Sequence, residues 1–290
     1  MSARRRLIVN ADGFGFTHGN NRGVFDTLPA GFVTSVSVNA NFPATGAVRE
    51  LASRFPHAGI GIHFNLCVGR PVLDPSRVPS LVNADGEFWY LAFPARAMTG
   101  RIDPREAEAE LAAQAARLAD LGVRPTHWDS HRGDHGYPPF LWAAVRVARR
   151  LGIPGMRTHR FHTFWRSGWP PARAAARYAK APQRAVSHAW RAGVAAVGRL
   201  AGFRMADRCV VLDPDSGDRP ERFETWMAVL DGLPEGVTEA WCHPGYPDDE
   251  LRRWSGLVES RAEQVAALSD PRLVEHARRV GVELITFRDL

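Results

Sequence analysis

Lysine is nearly missing from this chain: Lys180 stands alone, and arginine supplies the rest of the positive charge. Cysteine is scarce too. Cys67, Cys209 and Cys242 are far apart, with no Cys-x-x-Cys, which excludes a disulfide framework and a zinc knuckle and predicts a reducing, cytoplasmic setting. No apolar run approaches the ~20 residues that span a bilayer. Arg4, Arg5 and Arg6 lead straight into a strand-like run without a long apolar segment or a small-residue cleavage site, so no secretion signal is expected. There is no internal repeat and no low-complexity block. Gly13-x-Gly15 lacks both the Lys-Ser/Thr of a phosphate loop and a G-x-G-x-x-G spacing.

Acid is absent where base is plentiful. Between His135 and Asp207 there is no Asp or Glu, and Arg146, Arg157, Arg173, Arg191 and others recur through it, within a net charge of +6. From about Arg173 to Leu200 the composition is Ala-rich and helical, with tryptophan, valine and leucine interleaved. A solvated helix accounts for this; so does a basic amphipathic helix lying on an anionic membrane surface or attracting an acidic ligand. No zinc finger, RNP-like or helix-turn-helix pattern is present, so no nucleic-acid partner is expected.

An apolar share of 45% in 290 residues predicts an ordinary globular protein, read as one domain over 1–290 with a basic helical insertion at about 161–206. Strand-like runs cover Leu7–Ala11, Val33–Ala40, Gly59–Leu66, Thr126–Ser130, Gly155–Thr158, Glu239–Cys242 and Glu283–Phe287. Helix-like stretches fall at Ala44–Arg54, Pro104–Leu121, Phe140–Leu151, Pro220–Leu230 and, with interruptions, Leu251–Val280. Arg70–Phe93 reads as a loop-rich insertion, and Leu200–Asp218 as a connection back to the strands. The alternation predicts an α/β fold, an irregular (β/α) barrel with about seven parallel strands.

Three of these runs end in polar chemistry. Leu7-Ile8-Val9-Asn10-Ala11-Asp12-Gly13 ends in an amide, an acid and a glycine. Gly61-Ile62-His63-Phe64-Asn65 delivers a histidine and an amide. Thr126-His127-Trp128-Asp129-Ser130-His131 is followed by Asp134 and His135. Strand tips of this kind predict one shared site at the carboxyl edge of a parallel sheet.

In this order, with Val33-Thr34-Ser35 after the first and Glu239-Ala240-Trp241-Cys242-His243-Pro244-Gly245 near the end, the segments resemble the YdjC/ChbG/HpnK family of carbohydrate deacetylases. The resemblance runs from about Leu7 to the C-terminus and implies a NodB-like barrel. It has two departures. Gly13 stands where the family has a metal-binding Asp, and Gly133 stands where it has the middle histidine of H-x-H-x-H.

Hydrolysing an N-acetyl group needs an activated water, a cation for the carbonyl charge and an acid for the amine. By resemblance, His63 and His131 are metal ligands for Mg or Zn, Asp12 is the base, and His243 is the acid for the leaving amine. With Gly13 unable to ligate, three alternatives are open. Asp12 serves as a ligand, Asp134 or Asp129 supplies the carboxylate, or the metal is weakly bound or absent. Asp129 shares a face with His131 and is expected to orient it. His135 matches the family's last histidine and is expected to support the site. Asn10, Asn65 and Arg157 are candidates for binding substrate, and Trp89, Tyr90 and Trp128 for apolar platforms under a sugar. Cys242 alternates away from His243 and is expected in the core.

The segments from Phe161 to Asp207, Leu212 to Gly217 and Leu233 to Glu239 resemble the hopanoid-associated branch more than the chitooligosaccharide branch. The expected activity is therefore metal-dependent N-deacetylation of an amino sugar or a glycosylated lipid or metabolite. The rival expectation, motivated by Gly13 and Gly133, is a non-hydrolytic member: a sugar-binding protein or a metal-free acid–base enzyme. For partners, the expectations are a sugar or glycolipid and peripheral membrane contact through the basic segment, with room for a homodimer.

Overall fold

The computed structural model describes residues 4–164, 179, 182–212 and 219–290. Much of the basic segment before Pro182, and residues 213–218 of the Leu212–Gly217 run, lie outside the described residues. Among the described residues nine parallel strands form one sheet: β1 (Arg5–Phe14), β2 (Ser35–Val38), β3 (Gly59–Phe64), β4 (His127–Ser130), β5 (Gly155–Met156), β6 (Phe161–Phe164), β7 (Arg208–Leu212), β8 (Gly236–Cys242) and β9 (Val282–Leu284). Their order is β5-β4-β3-β2-β1-β8-β7-β6, with β9 against β1. β8 flanks β1 from Arg5 to Ala11. Its other edge is shared, with β9 along Arg5–Leu7 and β2 along Asn10–Phe14. Among the described residues no ladder joins the edge strands β5 and β6, so the barrel is irregular and open there.

All seven expected strands are present, and β6 and β7 are additional. β6 opens the stretch expected to be helical, and β7 lies inside the expected connection Leu200–Asp218. Neither shows strict period-two alternation, since His162 and Thr163 are adjacent polar residues in β6 and Cys209 to Leu212 is a continuous apolar run in β7.

The helices named among the described residues are α1 (His18–Thr27), α2 (Val48–Arg54), α3 (Phe93–Met98), α4 (Pro104–Asp120), α5 (Pro138–Arg150), α6 (Pro182–Leu200), α7 (Phe223–Asp231), α8 (Asp249–Trp254), α9 (Ser260–Leu268) and α10 (Arg272–Arg279). α4 starts where sequence says it should: Asp103 caps the Arg105 amide, Pro104 takes the first position, and Glu106 sits in the positive first turn. Leu251–Val280 divides into three helices. α1 was not expected, because His18-Gly19-Asn20-Asn21 propagates a helix poorly. It is fixed by a cap and by side-chain bonds to the flanking chain instead. Thr17 accepts from the Asn20 amide, while Asn21 accepts from Gly15 and donates to Ala44. Among the described residues no helix is long and apolar enough to cross a membrane.

Strand alternation builds the barrel interior in layers. Leu7, Val9 and Ala11 pack outward into the main core. Ile8, Val237, Ile285 and Phe287 close the floor with Ala206. His127 stacks flat on Phe287 at 3.7 Å, and its Nε2 meets Asn10 Oδ1 at 3.1 Å. Two residues further along each strand come Asp12, Asp129 and Glu239. The His127 layer depends on Gly61, because a Cβ there would lie 2.4 Å from the imidazole. Phe287 bars that ring from retreating. Gly61→Ala is therefore expected to cost about 1–3 kcal/mol through overpacking. A denaturant midpoint equal to that of the unaltered protein would show that the ring is free to move.

Candidate active site

Arg157, just beyond β5, is the centre of the polar interior. It is 6% exposed and grips Asp12 with two bonds, Nη1 to Oδ2 at 2.6 Å and Nη2 to Oδ1 at 2.7 Å. Nη1 also faces Asp129 Oδ2 at 2.9 Å, and Nε donates to Glu239 Oε1 at 2.5 Å. One guanidinium thus serves three buried carboxyl groups from β1, β4 and β8. Burial works to raise the pKa of Asp12 and Asp129, but the Arg157 charge outweighs it and holds both below the usual carboxylate value. Glu239 is pushed up to about 7, because burial there exceeds what Arg157 returns.

Above this layer lies a cavity of about 500 Å³, lined by Asp12, Gly13, His63, His131 and His243 among others. His63 Nδ1 donates to Asp129 Oδ1 at 2.7 Å and lies 3.1 Å from Ser37 Oγ. That bond fixes the tautomer and leaves the Nε2 lone pair for a ligand. The His131 ring stands at 90° to His63, with centroids 5.6 Å apart. Burial, then His63 and His243, keep His131 neutral, well below its ordinary pKa. His243 falls to about 3, through burial first and Arg261 second.

Asp12, His63 and Asp129 bring ligand-type atoms within 4.8 Å of one another. Proximity alone overstates this trio as a metal centre, because Arg157 already takes up both Asp12 oxygens and faces Asp129. What remains for a divalent cation is a pair of imidazoles, His63 and His131, of which Asp129 orients the first. The carboxylate share of a two-histidine, one-carboxylate site is not offered by a free side chain here.

Several expected residues take other places. Asp129 orients His63, not His131. Trp128 is fully buried against Phe64 and Phe203, on the face opposite to Asp129, and is no sugar platform. Asn65 does not face substrate: its side chain binds Val68 and Asn41 and closes the turn after β3. Asn10 is likewise buried, donating to Asp12 Oδ1 at 2.8 Å, so it positions the acid. Arg157 lines the cavity, but its donors are committed to carboxylates. His135 is bound to Ser130 Oγ and stacked near His159, and Asp134 interacts with Cys67, Arg132 and Arg191. Neither reaches His63 or His131 through a hydrogen bond. Trp89 donates to Ser80 under Arg96, outside the cavity. Cys242 is buried in the core, as expected.

The aromatic walls come instead from Tyr90, Phe161, Trp241 and Trp254. Of these only Tyr90 was anticipated. Trp241 was legible, because it lies midway between Glu239 and His243 on the same face of β8. Arg191 and Arg261 also line the cavity, from helices that carry no strand-tip signal.

A family model described as YdjC-like protein matches residues 6–279. The chain belongs to the YdjC-like family. Among its relatives, a carbohydrate deacetylase of Geobacillus stearothermophilus is 33% identical, with 98% of each chain aligned. Another, from Halalkalibacterium halodurans, is 29% identical, covering 93% of this chain and 98% of its own. The fold matches a crystal structure from Enterococcus faecalis V583, described as a cellobiose-phosphate cleavage protein, with a TM-score of 0.74, 25% identity and 99% of each chain covered. This YdjC-like chain shares the family's curled parallel sheet.

Removing the central cation exposes its role. Arg157→Met is expected to cost about 3–5 kcal/mol in denaturant unfolding, since three carboxyl groups stay buried without it. The pH dependence has two arms. Asp12 and Asp129 are depressed in the fold, so their contribution is present above about pH 3.8 and lost as pH falls through their folded values. Glu239 is raised, so its contribution is present below 4.5 and lost as pH rises through about 7. Glu239→Gln should therefore gain stability relative to the unaltered protein between pH 5 and pH 8. A difference that is constant with pH would refute that assignment.

Proposed function

We propose that this chain is a carbohydrate N-deacetylase, hydrolysing the acetamide of an amino sugar held in the cavity above Arg157. The observation that carries the proposal is the convergence of Asp12, His63, His131 and His243 on that cavity, in a chain whose relatives bear the name carbohydrate deacetylase. Tyr90, Phe161, Trp241 and Trp254 give apolar surfaces for the faces of a sugar ring. A divalent cation held by His63 and His131 would polarise the acetyl carbonyl and acidify a water when bound.

The side chains then divide the proton work. Asp12, kept ionised and aimed by Arg157 and Asn10, is the acceptor for the water's proton. Because Arg157 lowers its basicity, the accepted proton is easily passed on, which favours its transfer toward the leaving nitrogen. His243 is neutral at pH 7, so it serves the amine as a relay that gains a proton during turnover, and not as a preformed imidazolium.

Acetate released from N-acetylglucosamine oligomers, followed with an enzyme-coupled assay, tests this directly. Asp12→Asn is expected to lose about 10²–10⁴-fold in kcat. Chelation and the double variant His63→Ala/His131→Ala should do the same. Full activity in the double variant would overturn the ligand assignment. The second reading, a sugar-binding protein without hydrolysis, draws on Gly13 and on the commitment of Asp12 to Arg157. It gains if N-acetyl sugars bind while no acetate appears from any of them.

A membrane-presented glycolipid is the finer form of the substrate proposal. It is supported by α6, which exposes Val186 at 70% and Leu200 at 88%, with Trp190 and Val197 between them, in a stretch without acid. Flotation with anionic liposomes at low salt should carry the protein upward. Protein left at the bottom would confine the substrate to soluble sugars.

A further inference from the structure

The helix α9 docks on the tip of β8 and brings a buried cation to the cavity. Arg261 and Gln264 are three residues apart on it, so they share one face, and both are buried. Gln264 Oε1 accepts the His243 amide at 2.8 Å, and the Arg261 carbonyl accepts the Gly245 amide at 3.3 Å. The turn that carries His243 is therefore tied to the helix that carries Arg261. Both side chains line the cavity, together with Asp12.

Arg261 is the unmatched charge of that lining. It is 4% exposed, its Nε donates to the Leu257 carbonyl at 2.7 Å, and its buried Nη1 has no hydrogen-bond partner. Asp12 and Asp248 are the acids whose charge reaches it, and both are committed elsewhere. Asp12 belongs to Arg157, and Asp248 accepts from the amides of Gly19 and Leu251. Burial pulls the Arg261 pKa down to about 10, against Asp12 and Asp248, so the group stays protonated at pH 7. The other arginines of the cavity are provided for. Arg157 is matched by three carboxyl groups, while Arg132 is exposed over the Tyr90 ring and Arg191 half-buried over Phe161. A buried guanidinium with an open N–H is costly unless an acceptor carrying negative charge completes it.

We propose that Arg261 is the oxyanion-stabilising residue of this site: its guanidinium donates to the acetyl oxygen as negative charge builds there, and then to the departing acetate. The inference rests on the deacetylase reading. Arg261 acts electrostatically on Asp12 and on His243, so an acetamide held between the water's proton acceptor and the amine's relay turns its oxygen toward it. The water oxygen bonds to the acetyl carbon as its proton passes to Asp12, and the carbonyl π pair moves onto the oxygen facing Arg261. Collapse restores the C=O and breaks the C–N bond. The electron pair leaves with nitrogen, which receives the proton from Asp12 through His243, and the acetic acid formed ionises beside Arg261. A neutral acetamide becomes anionic only in the transition state, so this contact acts on kcat more than on KM. The guanidinium-rich lining favours that developing anion through the same charges that oppose a dication.

Acetate and acetamide differ mainly in charge, so the ratio of their affinities reads this stabilisation directly. It is measured at pH 7 and constant ionic strength, from the broadening of their methyl proton NMR signals as protein is added. The unaltered protein is expected to hold acetate about tenfold more tightly than acetamide, and Arg261→Met to remove most of that preference. In acetate release from N-acetylglucosamine oligomers, the same variant should lose about 10²–10³-fold in kcat with little change in KM. Arg261→Lys keeps the charge without the planar fork and should recover part of both. An unaltered protein that binds acetate no better than acetamide overturns the proposal, whether or not the methionine variant folds. So does a folded methionine variant that keeps the preference, or one that raises KM at unchanged kcat. Loss of the preference in the variant, in a protein that releases no acetate from any N-acetyl sugar, keeps the anion site and removes the deacetylase reading alone.

Discussion

One guanidinium holds the working end of this protein together. Arg157 joins the tips of β1, β4 and β8 through Asp12, Asp129 and Glu239, and it does so from the end of β5, a strand only two residues long. Lysine could not replace it, because the planar fork spans both Asp12 oxygens and still has Nε left for Glu239. Burying four ionisable groups is costly. Desolvation is offset here because Asp12 and Asp129 remain charged against the cation, while burial raises Glu239 to about 7. The same bonds that brace the strands therefore decide which carboxyl group is ionised beneath the cavity.

That layer depends on the ones below it. The floor of Ile8, Val237, Ile285 and Phe287 supports His127, whose ring fits only because Gly61 has no side chain. Burial forces His127 to be neutral, with a pKa of about 3, so it adds no charge next to Arg157. Its contact with Asn10 in turn aims the Asn10 amide at Asp12. The orientation of Asp12 is thus fixed twice, by a cation from the side and by a neutral relay from below. This is preorganisation in its physical sense: the acid need not rearrange when a substrate arrives.

The parts of this design that lie on strand tips were legible from sequence, because alternation of period two assigns faces. Asn10 and Asp12, His127 and Asp129, and Glu239 and His243 all fall on the interior face as the pattern requires. The same rule put Trp128 on the far side from Asp129, and the core is where it lies. Its expected role as a sugar platform came from residue type, which says nothing about face. Asn65 was misassigned for a related reason. It follows the end of β3, where alternation stops and an Asn more often closes a turn on its own backbone. β6 and β7 were hidden because neither alternates strictly, and α1 by a sequence that forms a helix only when its neighbours hold it. Arg261 and Arg191 reach the cavity from helices, and which helix faces a barrel mouth is a property of packing at long sequence separation.

Glycine at position 13 brings no charge to the cavity wall. With an acid at that point, the site would contain one carboxylate not claimed by Arg157. With glycine, the lining has four arginines and a single Asp whose charge is already matched. Histidine side chains can donate electron pairs to a cation, but they cannot reduce the work of bringing a double charge among guanidinium groups. Over distances of several ångströms, at the effective dielectric of ~20 suited to such sites, each such repulsion amounts to a few kcal/mol.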